Sequence, residues 1–237
     1  MITIISSVLI TYLLAAVLPA IILMAYVYHM DSFEKEPPRL LLQLCMGGVG
    51  AGLLAIFLEQ ISQGLLNRFV GQNNPYYLIS LAFLGVALVE EGVKFAALKW
   101  ISWKSPSFNY RFDGIVYAVF VSLGFAAFEN IGYVIGYGLT VAPLRALLAV
   151  PGHLSFAVVE GFFYGRARRA ENLGYHSASV TNQVLGLVAA ILLHGIYDSC
   201  AMIGTTVATI IFIVFVAVLY LSVYYLIHRE SRRNRPL

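Results

Sequence analysis

The feature that most constrains this chain is the recurrence of apolar runs long enough to cross a bilayer. A helical span needs roughly 20 predominantly apolar residues, and seven such runs follow one another at about 2–28, 40–66, 76–101, 113–137, 143–165, 179–200 and 203–227. Of the 237 residues, 60% are hydrophobic and 11% charged, and the mean hydropathy is +0.82, far from the range of soluble domains. The runs predict an all-α, polytopic membrane bundle of about seven transmembrane helices. A single integral-membrane unit over 1–237 is expected, with its chemistry in about 76–200.

The first run has no basic leader and no small-residue cleavage site, so it reads as a retained span, with a kink expected at Pro19. Glu36-Pro37-Pro38 predicts the stop of that helix and the start of the second near Leu40. Cys45 and Cys200 suit small packing positions better than a disulfide or a thiolate metal site.

Orientation is read from the basic residues between the runs. With the N-terminus outside, the inner segments hold Lys35 and Arg39, then Lys99, Lys104 and Arg111, then Arg166, Arg168 and Arg169, then Arg229, Arg232, Arg233 and Arg235, against Arg68 and Arg145 outside. The bias predicts an N-terminus outside and a cytoplasmic C-terminus. Cations spread over four cytoplasmic segments match lipid orientation and not a nucleic-acid partner. The tail RESRRNRPL reads as an anchor at anionic lipid.

Against this apolar background the third run, LAFLGVALVEEGVKFAALKWI, carries Glu90, Glu91 and Lys94 near its centre. Each charge there costs about 2.5 to 3.5 kcal/mol even on lenient insertion scales, and an intramembrane ionisable residue is a functional hypothesis by default. Glu90 and Lys94 stand at i and i+4 and can pair; Glu91 points about 100° away. Further polar residues recur at comparable depth. FAAFENIGY holds Glu129 and Asn130, PGHLSFAVVEGFFYG holds His153 and Glu160, and LLHGIYDSC holds His194 and Asp198. Four helices thus offer carboxylates and imidazoles to one layer.

Glu and His drawn from separate helices are the ingredients of a catalytic divalent-metal site. Zinc would bring a bound water to a pKa of about 7, with a neighbouring Glu as its general base. Taken singly, each residue has a plainer reading: a buried Glu90–Lys94 pair, a hydrogen-bonded Glu129, a neutral core imidazole at His153 or His194, a hydrated Asp198. For Glu160 a place at the cytoplasmic interface near Arg166 is preferred, and Glu59 and His176 receive no role. Gly132 with Gly136, and Gly161 with Gly165, have the small-xxx-small spacing of close helix approach.

The motifs EEGVKF at 90–95, FDGIVYAVFVSLGFAAFENIGY at 112–133, RALLAVPGHLSFAVVEGFFYGRAR at 145–168 and LLHGIYD at 192–198, with Asp31 through Glu36-Pro37 before them, resemble those of the PrsW family of bacterial intramembrane proteases. That family is related to the CAAX-prenyl-protease and bacteriocin-immunity superfamily. The resemblance implies a multi-pass protease of the bacterial cell membrane. Its substrate would be a single-span membrane protein of the anti-sigma-factor type, given its first cut on the extracytoplasmic side to start a stress response. Carried over by position, Glu90 and Glu91 match the essential glutamate pair, Glu129 the acid of F-x-x-x-E, and His153, His194 and Asp198 the later motifs.

On this reading Glu90 or Glu91 is the general base and Lys94 keeps the pair ionised and oriented. Glu129, His153 and His194 hold a divalent metal, zinc being expected, and Asp198 fixes the imidazole of His194. The prenyl proteases have a histidine where Glu129 stands. A metal-free glutamate mechanism therefore stays open, and so does a proton- or cation-coupled transporter built on the same acids and histidines.

Overall fold

The computed structural model describes residues 2–237, with side chains from Leu9 onward. Among the described residues there are no strands, only one isolated β-bridge, Tyr110 with Pro236. The helices are α1 (Ile2–Met30), α2 (Pro38–Phe69), α3 (77–102), α4 (Asp113–Tyr137), α5 (Ala142–Leu147), α6 (Ala149–Asn172), α7 (His176–Ile203) and α8 (Thr206–Arg232). Six helical stretches have the length and composition to cross a membrane. The seventh expected span, α3, is a helix of similar length whose charges set it apart. It runs as α-helix over Tyr77–Ser80, as π-helix over Leu81–Ala87, and as α-helix again over Leu88–Ser102.

The layout follows from which faces are small. In α4, 72% of the most apolar window is buried, which makes it the axis of the bundle, packed by α1, α2 and α6. Two glycine crossings allow this approach. A methyl group at Gly161 of α6 would stand 2.5 Å from the Gly114 carbonyl oxygen, and one at Gly114 would stand 2.6 Å from that of Gly161. On the other side, a Cβ at Gly48 of α2 would lie 2.8 Å from the Phe125 nitrogen. Gly132 and Gly136, by contrast, face open space, so of the two small-xxx-small pairs only Gly161 with Gly165 serves a helix crossing. Around this axis α6 packs on α7, α3 lies between α2 and α7, and α8 covers α6 and α7.

One boundary differs from expectation. The run at 143–165 is split at Leu148 into α5 and α6. Pro151 explains the break: it has no N–H to donate, and its ring would collide with the carbonyl of residue 147 in a continuous helix. Pro19 lies within the unbroken span of α1. The C-terminal tail is also more than a charged anchor. It folds onto the α3–α4 connection, where the Arg111 nitrogen donates to the Arg235 carbonyl (3.2 Å), the Phe112 nitrogen to Asn234 Oδ1 (3.0 Å) and the Leu237 nitrogen to the Asn109 carbonyl (2.8 Å).

Candidate active site

Four helices bring the expected polar residues to one place. Lys94 sits one turn after Glu90 and Glu91 on α3, and its Nζ donates to Glu90 Oε2 and to Glu91 Oε1, each at 2.9 Å. It also meets His153 Nδ1 from α6 at 3.1 Å and stands 4.0 Å from the centre of the Phe125 ring on α4, a cation–π contact in a desolvated setting. The expected pairing of Lys94 with Glu90 is therefore half of the arrangement, and the ammonium serves both glutamates. All three side chains are nearly inaccessible, at 6%, 1% and 2% for Glu90, Glu91 and Lys94.

The histidines extend this core in two directions. An ammonium can only donate, so the Nδ1 of His153 accepts and its Nε2–H donates to Glu129 Oε2 at 3.0 Å. His194 of α7 places Nδ1 2.7 Å from Glu91 Oε1 and Nε2 3.4 Å from Asp198 Oδ2. Both its ring nitrogens thus face carboxylates, an arrangement that a doubly donating imidazolium satisfies. The His194 ring stacks on Phe156, centroids 4.9 Å apart, and meets His153 edge-on at 5.6 Å.

Two residues given no part by sequence belong to this site. Arg145 of α5 pairs with Glu129 Oε2 at 3.0 Å, donates from Nε to Asn130 Oδ1 at 2.5 Å, and covers the Tyr133 ring. Glu59 of α2 lines the same space. A cavity of about 200 Å³ is bounded by Glu59, Glu90, Glu129, Arg145, His153, His194, Tyr197 and Asp198. A second, of about 390 Å³, shares Glu59, Glu90, Glu129 and Tyr133 with it and lies between α2 and α4. Glu91 lines neither. Glu160, expected at an interface, is instead buried, with Oε1 lacking a hydrogen-bond partner.

The donor set suits a divalent metal, since imidazole and carboxylate are the ligands of catalytic zinc sites. Glu90, Glu91 and His153 each offer an atom within 4.8 Å of the others, whereas the expected set was Glu129, His153 and His194. The same three groups hold the Lys94 ammonium. Binding an ion at their centre therefore requires the ammonium to withdraw.

The family model for PrsW family intramembrane metalloproteases matches residues 36–224. The chain belongs to the PrsW family. Protease PrsW of Bacillus subtilis (strain 168) is 35% identical over 184 residues, 78% of this chain and 79% of that protein. The Geobacillus kaustophilus protein of the same name is 34% identical over 188 residues, 78% and 76% of the two chains. That of Oceanobacillus iheyensis is 31% identical over 220 residues, 93% and 96%. Comparison with solved structures gives no match. PrsW membership makes this a multi-pass bacterial membrane protein and an intramembrane protease, which sets aside the transporter reading.

Proposed function

We propose that this protease makes the first cut in single-span membrane proteins of the anti-sigma-factor type, on the side of the membrane opposite its basic end, using water activated by Glu90. The observation that carries the reading is the unequal placement of the two glutamates. Glu90 faces the cavity that Glu129, His153, His194 and Asp198 also line, while Glu91 is enclosed between Lys94 and His194. Lys94 engages Oε2 of Glu90, which leaves Oε1 to take a proton from water in the cavity.

Peptide hydrolysis also needs stabilisation of the developing oxyanion and a proton for the leaving amine. The Nε2–H of His194, held only loosely by Asp198 at 3.4 Å, can turn to either task while Nδ1 stays on Glu91. Arg145 and His153 fix Glu129 at the rim of the same cavity. In a metal-bound form a divalent ion, zinc by the chemistry of its donors, would take the place of the Lys94 ammonium between Glu90, Glu91 and His153 and would supply Lewis-acid polarisation of the carbonyl.

The experiment is cleavage of a reconstituted single-span substrate by purified variants. Glu90→Gln lowers the rate about 10²- to 10⁴-fold, the range for loss of a general base, and Glu59→Gln changes it far less. A Glu90→Gln enzyme that cleaves at the normal rate overturns the assignment. Elemental analysis of the same preparations tests the metal: about one zinc per chain in wild type, lost in His153→Ala, supports the metal-bound form.

A further inference from the structure

A second cluster of acids lies at the other end of α4. Asp31 follows α1, Glu36 sits in the connection to α2, and Asp113 opens α4, sixteen residues before Glu129 and so about 24 Å away along the helix. All three are buried, at 0%, 3% and 1% exposure, and each presents an oxygen within 4.8 Å of the others. The protease reading gives Asp31 and Glu36 no task.

The hydrogen bonding leaves the cluster incomplete. Tyr117 donates to Glu36 Oε2 at 2.5 Å. Asp113 Oδ2 accepts from the Asn109 and Tyr110 nitrogens at 3.0 and 2.7 Å. Both carboxylate oxygens of Asp31 are buried with no partner, whereas Asp113 and Glu36 are close enough to hydrogen-bond to each other through a shared proton. The adjacent cation does not fill the gap, because the Lys35 ammonium is spent on the backbone carbonyls of Tyr28, His29 and Asp31. Buried charges are ordinarily paired or coordinate a metal, and burying an isolated carboxylate is far costlier than burying a neutral group.

We propose that Asp31, Glu36 and Asp113 form a binding site for a hard divalent cation of the Ca²⁺ or Mg²⁺ class, which fastens the α1–α2 connection to the start of α4. The ligands are all oxygens, which suit Mg²⁺, Ca²⁺ and Mn²⁺ and not thiophilic ions. Oxygens held by one Ca²⁺ ion at about 2.4 Å lie no more than about 4.8 Å apart, so three oxygens within 4.8 Å of one another are close enough to share an ion. The site is independent of the protease chemistry in residues and in place.

The test uses the full-length chain in detergent, stripped with chelator and titrated with Tb³⁺, whose luminescence Tyr117 is placed to sensitise. A saturable signal displaced by Ca²⁺ is expected. It should weaken at least tenfold in affinity in Asp31→Asn and in Glu36→Gln, and persist in His153→Ala, which removes the donor imidazole of the other site. Ca²⁺ should raise the melting temperature of wild type and not that of Asp31→Asn. No saturable signal, or equal affinity in wild type and both carboxamide variants, overturns the proposal. So does an Asp31→Asn protein that melts higher than wild type with Ca²⁺ present, because the cluster is then held by protons alone.

Discussion

Lys94 is the single side chain on which the site's charge balance turns. Its ammonium is the common partner of Glu90, Glu91 and His153, so Lys94→Met strands two buried carboxylates. Removing one partner of a buried pair costs about 3 to 5 kcal/mol. The melting temperature of Lys94→Met should therefore fall well below that of wild type, and a second change, Glu91→Gln, should recover part of the loss. If the two changes simply add, the coupling is absent. The i, i+4 spacing made half of this legible from sequence. The Glu91–His194 bond, between residues 103 apart, was not, because α3 and α7 become neighbours only in the folded bundle. Glu59 carried a signal that went unused: a lone acid in an apolar run is unusual enough to mark a site. Arg145 was hidden for another reason, since a basic residue in a connection reads as a topology marker until its connection folds back over Glu129.

At the scale of helices, the two glycine crossings of α4 set how closely the site's walls can approach. Gly161→Leu must push α6 from α4 at a point where backbone meets backbone, and overpacking of this kind typically costs about 1 to 3 kcal/mol. Gly136→Ala meets nothing within 4 Å and trades a poor helix former for a good one. Thermal unfolding in detergent should separate the two, with the first variant clearly destabilised and the second at least as stable as wild type. Equal behaviour would mean that the crossings are not limiting. The order and approximate extent of the long helices were readable from apolar run length alone. The break at Leu148 was not placed, although Pro151 held the cue, because hydropathy averages over a bend. The π-helical segment of α3 left no mark in composition.

For the molecule as a whole, twelve of the fifteen basic residues fall at the end of the bundle that carries the α1–α2 and α3–α4 connections. The other end carries the cavity lined by Glu90, Glu129 and His194. If the basic end is cytoplasmic, a cysteine at Ser107 in a variant lacking Cys45 and Cys200 reacts with an impermeant thiol reagent only in inverted vesicles. One at Asn73 reacts in intact cells. The reverse pattern would invert the proposed side of cleavage.

The self-pairing of α3 has a further consequence, for biosynthesis. At about 2.5 to 3.5 kcal/mol per charge, its Glu90, Glu91 and Lys94 make it a segment that lipid alone would reject. Its own i, i+3 and i, i+4 contacts offset part of that cost before any neighbour exists. More is relieved as Phe125 on α4, then His153 on α6 and His194 on α7, are synthesised. Translation of the later helices thus completes the insertion of an earlier one, and a ribosome that stops before α6 leaves α3 as the helix most prone to slip back out of the membrane.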